Sequence, residues 1–323
     1  MLVRHSMLWS MSVLLLTGLS TPYLHAQDYP NREIRLIVGF PPGTGADVNV
    51  RYFAEKLRVL AGKTIVVENK PGANSNVATE YVARSKPDGY TIYPFSATTV
   101  AASQHLYKNP PVDVGKALEV IATINTLPFM LVVDAKSPYK TVAELTQGMK
   151  KKGAGASFAT STTVGTIMGA LYNQAAGLEA VEIPYRNPAD ALGEMESGRI
   201  DYGLFDPIFA LAQMRQGAVR ILAVSTAERS QVLPDIPTMK EAGVPIDLTS
   251  WWGVMVPAGM PRPIAQKIGD WFTQIVKTEE ARKFLAIGGG DPLFRTPEEA
   301  NAMFHAAIQQ WGEYVRMAKI PLN

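Results

Sequence analysis

The stretch Leu36-Ile-Val-Gly-Phe-Pro-Pro-Gly-Thr-Gly-Ala-Asp-Val-Asn-Val50 constrains the fold more than any other part of the sequence. Ile34, Leu36 and Val38 alternate ahead of a Pro/Gly loop, which is the period of a strand. Val50, Phe53, Ala54, Leu57 and Leu60 recur at three and four residues after it, which is the period of a helix. Asp47 stands where a helix N-cap is expected. Free backbone N–H groups and the positive end of a helix dipole then meet at the loop, an arrangement that suits a carboxylate or phosphate. A tight strand-to-helix turn would use the same glycines with no ligand at all.

The unit recurs along the chain. A strand at 64–67 leads through Glu68-Asn-Lys-Pro-Gly-Ala-Asn-Ser-Asn76 to a helix with Val77, Tyr81 and Val82 as core contacts and Asn74 or Asn76 as cap. Pro87-Asp-Gly89 turns into a strand at 90–93, and residues 129–133 form an apolar run read as a buried strand. A helix at 141–149 ends in Lys150-Lys-Lys152, a solvated helix end. Residues 155–159 read as a strand before the loop Thr160-Ser-Thr-Thr163, whose helix runs from about 164 to 176 and stops at Gly177. The runs 181–185 and 202–205 feed helices opened by Asn187-Pro188-Ala-Asp190 and Asp206-Pro207. After Trp251-Trp-Gly-Val-Met-Val-Pro257 the chain is helical, with a capping box and proline at Thr296-Pro-Glu-Glu299. Such alternation predicts an α/β fold with largely parallel sheets, in which ligands sit beyond the carboxyl ends of the strands. The loops at 40–47, 160–163, 185–188 and 205–207 all fall at that edge, and no flexible linker separates the lobes.

Residues 1–26 read as a secretory signal: Arg4 precedes an apolar run from 7 to 19, and Leu24-His25-Ala26 forms the cleavage site. With no cysteine in the chain, lipid anchoring and a disulfide framework are excluded, and a periplasmic protein is expected. The 31 Lys and Arg residues stand against 29 Asp and Glu, and only Arg4 belongs to the first 26 residues. This near-neutral remainder gives no electrostatic case for nucleic acid or an anionic membrane. Its length predicts two domains.

Familiar catalytic arrangements are missing. Gly43-Thr-Gly45 lacks a third glycine at Val48, and Gly62-Lys63-Thr64 lacks the upstream glycine at Leu57, so neither nucleotide motif is complete. Gly155-Ala-Ser157-Phe-Ala159 lacks the last glycine of a nucleophile elbow. His5 and His25 fall in the signal, and His105 and His305 read as structural. No zinc or calcium spacing occurs. Hydroxyls, helix N-termini and the aromatics Phe40, Tyr185, Phe205, Trp251 and Trp252 remain to line a cleft.

Several words in order, Phe40-Pro-Pro-Gly43 with Asp47, Val66-Val-Glu-Asn-Lys-Pro-Gly-Ala73, Pro87-Asp-Gly-Tyr-Thr91, Ile183-Pro-Tyr-Arg186, Leu222-Ala-Val224, Leu233-Pro-Asp-Ile-Pro-Thr238 with Glu241-Ala-Gly243, and Trp252-Gly-Val with Pro257-Ala-Gly259, resemble one family. It is that of the substrate-binding proteins of tripartite tricarboxylate transporters, the Bug (Bordetella uptake gene) proteins. The resemblance implies a two-lobed periplasmic-binding-protein type II fold, each lobe a mostly parallel sheet flanked by helices. Residues 27–127 with 250–323 form one lobe in this reading, and residues 128–249 form the other. It implies a small organic acid held by loop hydroxyls, backbone amides and ordered water, with no cofactor, no metal and no catalysis. The partner implied is a two-component, ion-gradient-driven membrane permease served by a monomeric binding protein.

The expected ligand contacts are Phe40, Gly43, Thr44, Asp47, Asn74, Ser96, Thr98, Thr160, Ser161, Thr162, Thr163, Tyr185, Arg186, Asn187, Asp206 and Trp251. Three loops depart from the family pattern, at Thr44, at Thr162 with Met168, and at Arg186-Asn187, which points to a bulkier or aromatic acid in place of the common C4–C6 carboxylates. A ligand-responsive sensor that presents its closed form to a membrane histidine kinase would use the same cleft. A neighbouring permease or kinase gene would separate the two roles.

Overall fold

A computed structural model describes residues 29–320 and residue 322 of the chain; the signal read at 1–26 lies outside them. In chain order the elements are β1 (Ile34–Val38), α1 (Gly45–Ala61), β2 (Ile65–Asn69), α2 (Asn76–Ala83), β3 (Thr91–Ser96), α3 (Ala97–Leu106), α4 (Val114–Ala117), β4 (Leu118–Leu127), β5 (Met130–Asp134) and α5 (Val142–Lys152). There follow β6 (Ser157–Thr160), α6 (Thr163–Ala176), β7 (Val181–Pro184), α7 (Ala189–Glu196), β8 (Tyr202–Phe205), α8 (Pro207–Arg215) and β9 (Val219–Val224). Last come β10 (Ser250–Pro257), α9 (Arg262–Lys277), α10 (Glu279–Ile287), β11 (Asp291–Pro292) and α11 (Pro297–Met317).

Two sheets form, ordered β11-β4-β10-β3-β1-β2 and β7-β6-β8-β5-β9. Parallel pairing joins β1 to β2 and β3, and joins β6 to β7 and β8. The sheets are nevertheless mixed. β10 runs against β3 and β4, and β5 runs against β8 and β9. The reversal follows from the chain path: β5 and β10 are the strands entered when the chain passes from one sheet to the other. β5 follows β4 almost at once and β10 is reached through residues 225–249, but each enters its sheet at the edge facing the one its predecessor left, and so runs the opposite way. The register fixes where this happens. Ser250 pairs with Leu127 and Trp252 with Ser96, while Met130 pairs with both Phe205 and Val224. Both crossings therefore leave from the carboxyl ends of the parallel strands, and those two edges face each other across a cleft.

The apolar periodicities account for most elements. Val50, Phe53, Ala54 and Leu57 of α1 are buried as the pattern predicts, in a core shared with Ile34, Leu36 and Val38 of β1. Thr296 and Glu299 close their capping box at the start of α11. In α2 the pattern holds for Val82 and misleads at Val77, which is exposed while Ala78 and Thr79 turn inward. β4 is a buried ten-residue strand in a region where the pattern singled out no element.

Close packing of α6 on its sheet depends on glycine. A Cβ placed on Gly165 would lie 2.7 Å from the carbonyl oxygen of Leu204 in β8. That oxygen is sheet backbone and has little room to move. Gly165→Ala is therefore expected to destabilise the protein by about 1–3 kcal/mol through overpacking. The comparison is urea denaturation of variant and wild type, and coincident midpoints would refute this account of the packing.

Candidate functional site

On the first sheet the facing edge carries the loops after β1, β2 and β3, together with the start of β10. On the second it carries the loops after β6, β7 and β8. All sixteen residues expected from the sequence fall on these edges or in the first helical turn behind them, but their side chains have different tasks.

The β1–α1 loop is held from within. Thr44, not Asp47, is the N-cap of α1; its hydroxyl accepts from the Asp47 N–H at 3.3 Å and donates to the Pro41 carbonyl at 2.8 Å. The helix starts earlier than the sequence predicted because Gly45 and Ala46 already adopt helical geometry, leaving Asp47 in the first turn. The buried Asp47 carboxylate accepts from the Gly43 N–H (2.9 Å), Arg51 Nε (2.9 Å) and Asn69 Nδ2 (2.8 Å). Asn69, at the end of β2, also donates to the Phe40 carbonyl at 3.0 Å. The hydrogen bond from Arg51, then those from Gly43 and Asn69, hold the Asp47 carboxyl down at about 2 against the effect of burial. Phe40 leans on Trp252, with ring centroids 6.0 Å apart.

The loop after β2 is wound tightly. Ala73, Asn74 and Ser75 all have left-handed φ values of 46°, 50° and 67°, costly for residues with a Cβ. Neighbouring loops restrain it: Ser75 Oγ donates to the Gly39 carbonyl at 3.1 Å, and Ser103 Oγ donates to the Asn74 carbonyl at 2.7 Å. Gly39 is needed here, since a Cβ on it would sit 2.5 Å from Ser75 Oγ. Neither Asn74 nor Asn76 caps α2; Ser75 occupies that position and makes no side-chain cap bond.

At the end of β3 lies a chain of hydroxyls. Thr99 donates to Ser96 (3.1 Å), Ser96 bonds Thr98 (3.1 Å), and Thr98 bonds Ser250 (3.0 Å). Ser96, Thr98 and Ser250 are buried. Four hydroxyls carry four hydrogens, and three bonds join them, so one O–H is left without an acceptor inside the chain of bonds. Behind it the N-terminus of α3 has no side-chain cap. Thr99 and Ser250 were not foreseen. Ser250 precedes an aromatic run in the sequence, and only the pairing of β10 with β3 brings it here.

Across the cleft, the Thr160 hydroxyl is spent on Glu182 Oε1 at 2.6 Å, and that oxygen also accepts from Thr166. Thr162 caps α6 through the Gly165 N–H at 3.2 Å. Ser161 and Thr163, half-buried between them, make no side-chain hydrogen bond among the described residues. Tyr185 donates its hydroxyl to Glu194 at 2.9 Å. Asn187 accepts from the Ala189 N–H at 3.1 Å but stands outside α7, whose N-cap position is Pro188. Arg186 is exposed and has no ion pair among the described residues. Asp206 caps α8 through the Phe209 N–H at 3.0 Å; burial pushes its carboxyl above the usual range, and the backbone N–H groups of Phe209 and Ile208 oppose that shift.

Trp251, expected on the cleft wall, is core instead. Its ring packs edge-on to Phe95 at 5.5 Å and Phe304 at 6.4 Å. Phe205 is likewise buried, against Phe209. Alternation along each strand sends these rings into the layer behind the edge.

The helix ends thus divide by charge. α1 and α8 carry their own carboxylates, Asp47 and Asp206, and the Glu182 carboxylate reaches the first turn of α6 through Thr166, whereas α3 begins among neutral hydroxyls. Of these ends, that of α3 combines a free dipole with no neighbouring carboxylate among the contacts described above, the arrangement that suits an anion. Among the described residues no group of three or more His, Asp or Glu side chains converges as a metal would require, and no helix is long and apolar enough to cross a membrane.

Comparison with known proteins agrees with this geometry. Residues 49–320 match the model of the tripartite tricarboxylate transporter family receptor, TctC. A UPF0065 protein of Bordetella bronchiseptica is 32% identical over 85% of this chain and 82% of its own length. A solved R. palustris protein with adipate superposes with a TM-score of 0.80 at 26% identity, covering 92% of this chain and 100% of that one. The periplasmic binding protein BugD gives a TM-score of 0.77 at 28% identity over 91% of this chain and 100% of its own.

The clasp on Asp47 has a measurable pH signature. Its folded value, about 2, lies below the ordinary 3.8, so its stabilising contribution is complete above 3.8 and fades as pH falls toward 2. Denaturant titrations across that window should show a stability loss in the wild type that Asp47→Asn diminishes; parallel curves would remove Asp47 from this role.

Proposed function

Because the chain belongs to the tripartite tricarboxylate transporter receptor family, a family of solute-binding proteins and not of enzymes, we propose that it captures a small organic carboxylate in the periplasm and delivers it to a two-component membrane permease. The observation that carries this reading is the surplus hydroxyl donor of the Thr99–Ser96–Thr98–Ser250 chain at the uncapped N-terminus of α3. A carboxylate oxygen accepts that hydrogen and lies on the positive end of the helix dipole. Ser161, Thr163 and the first turn of α6 offer donors on the facing edge of the other lobe, and Arg186 supplies a positive charge there.

The two bodies that close on the ligand are residues 27–127 with 250–323, and residues 128–249. Asp47, Asn69 and Thr44 shape the β1–α1 loop; they do not hold the acid themselves, because their polar atoms are already paired. One structural neighbour is a protein solved with adipate, an aliphatic diacid. Here Thr44, Thr162 and Arg186-Asn187 alter the loops, and the acid accepted is bulkier or aromatic.

Mass spectrometry of natively released protein identifies what co-purifies, and calorimetry with C4–C6 diacids beside aromatic and branched acids ranks them. Binding confined to the C4–C6 acids overturns the bulkier ligand, and binding of no carboxylate overturns the reading itself. Thr98→Val, which removes one link of the hydroxyl chain, is expected to raise the Kd of the best acid about fivefold to tenfold, the equivalent of about 1 kcal/mol for one hydrogen bond.

A further inference from the structure

The two lobes touch at a place the ligand reading does not use. Pro207, Ile208, Leu211 and Arg215 lie on one face of α8, and that face meets the first lobe along a strip almost free of side chains. A Cβ on Gly289 would lie 2.8 Å from Leu211 Cδ1 and 3.4 Å from Pro207 Cβ. Arg215 Nη2 donates to the Ile287 carbonyl at 3.0 Å. At the outer end, Ile208 enters a notch between two helix ends. A Cβ on Gly45, the first residue of α1, would be 2.6 Å from Ile208 Cδ1, and one on Gly288, just past α10, would be 3.4 Å from Ile208 Cγ1. Ile208 remains 45% exposed, so it is a knob from one lobe resting in the other and not part of either core.

We propose that Ile208 is the latch of lobe closure and that Gly45 and Gly288 form its seat. The conformational freedom of glycine is not what either position supplies: neither residue has a positive φ, and α1 would accept alanine or leucine at its first turn. What they supply is missing volume. With both Cβ atoms absent, the α8 N-terminus approaches the α1 N-terminus closely enough to bring the loops after β6 and β8 over the loops after β1 and β3. A side chain at Gly45 meets Ile208 first and holds the lobes apart. Such contacts favour one arrangement over another because packed surfaces interdigitate or separate and do not deform smoothly.

The cysteine-free chain lends itself to a direct test. Spin labels on V59C in α1 and K151C in α5, both exposed positions, report the inter-lobe distance by pulsed dipolar spectroscopy of the full mature protein without added acid. Gly45→Leu is expected to lower the short-distance population at least twofold, and Ile208→Ala to lower it as well. Combining them is expected to restore it, because the new leucine fills the space that the isoleucine leaves. A merely structural role for Gly45 predicts no such rescue, and distributions unchanged by either single substitution overturn the proposal. If Gly45→Leu loses its helical circular dichroism, Ile208→Ala decides alone, since its side chain belongs to neither core. The protein is stripped of any bound molecule by unfolding and refolding before labelling, so no ligand enters the measurement and its failure would leave the carboxylate reading standing.

Discussion

The arrangement of the molecule depends on where the chain crosses between its two sheets. Both crossings, from β4 to β5 and from β9 to β10, leave at the carboxyl ends of the parallel strands. That one constraint turns the two loop-bearing edges toward each other and reverses β5 and β10 within their sheets. It also gathers helix N-termini from both halves around a single space. No linker is needed, because the crossing strands are themselves members of the sheets and transmit the position of one lobe to the other. Ser225 shows how firmly this is tied: its hydroxyl accepts from the Phe129 N–H at 2.8 Å and donates to the Leu248 carbonyl at 2.9 Å, joining the two crossings side by side.

Within that space, the helix ends are not equivalent. A dipole end that already faces a side-chain carboxylate is electrostatically satisfied, and those of α1 and α8 are in this state. The Asp47 clasp draws on residues from three segments, Gly43, Arg51 and Asn69, and thereby explains why the Glu68-Asn69-Lys70-Pro71 word matters at a distance from its own strand. The end of α3 keeps its capacity for an anion because hydroxyls, which both donate and accept, surround it without adding charge, whereas Glu182 brings a carboxylate to the first turn of α6.

The glycines divide in the same way. Gly39 and Gly165 let loops and helices within one lobe approach each other, and their replacement would strain the folded state. Gly45, Gly288 and Gly289 lie where the lobes meet, and what they admit is a side chain from the other body. The first kind is a matter of stability and the second a matter of the balance between open and closed forms.

Much of the fold was legible in the sequence. Alternation located β1, three-and-four spacing located α1, apolar runs marked β2, β3 and β8, and caps at Asp206 and Thr296 marked helix starts, because backbone hydrogen bonding and burial of an apolar face are local demands. Local rules also explain the errors. Thr44 and Asp47 are both acceptable caps, and only the wider clasp through Asn69 selects between them. Trp251 and Ser250 are neighbours on opposite faces of β10, so one ring enters the core while one hydroxyl reaches the cleft edge, a choice fixed by pairing with β3 and β4. The sequence by itself determined which loops are rich in donors and, through its words in order, which family the chain belongs to. Tertiary structure decided which of those donors are already spent, since that depends on partners tens to hundreds of residues away: Ser250 beside Thr98, Asn69 beside Asp47, and Ile208 against two glycines of the opposite lobe.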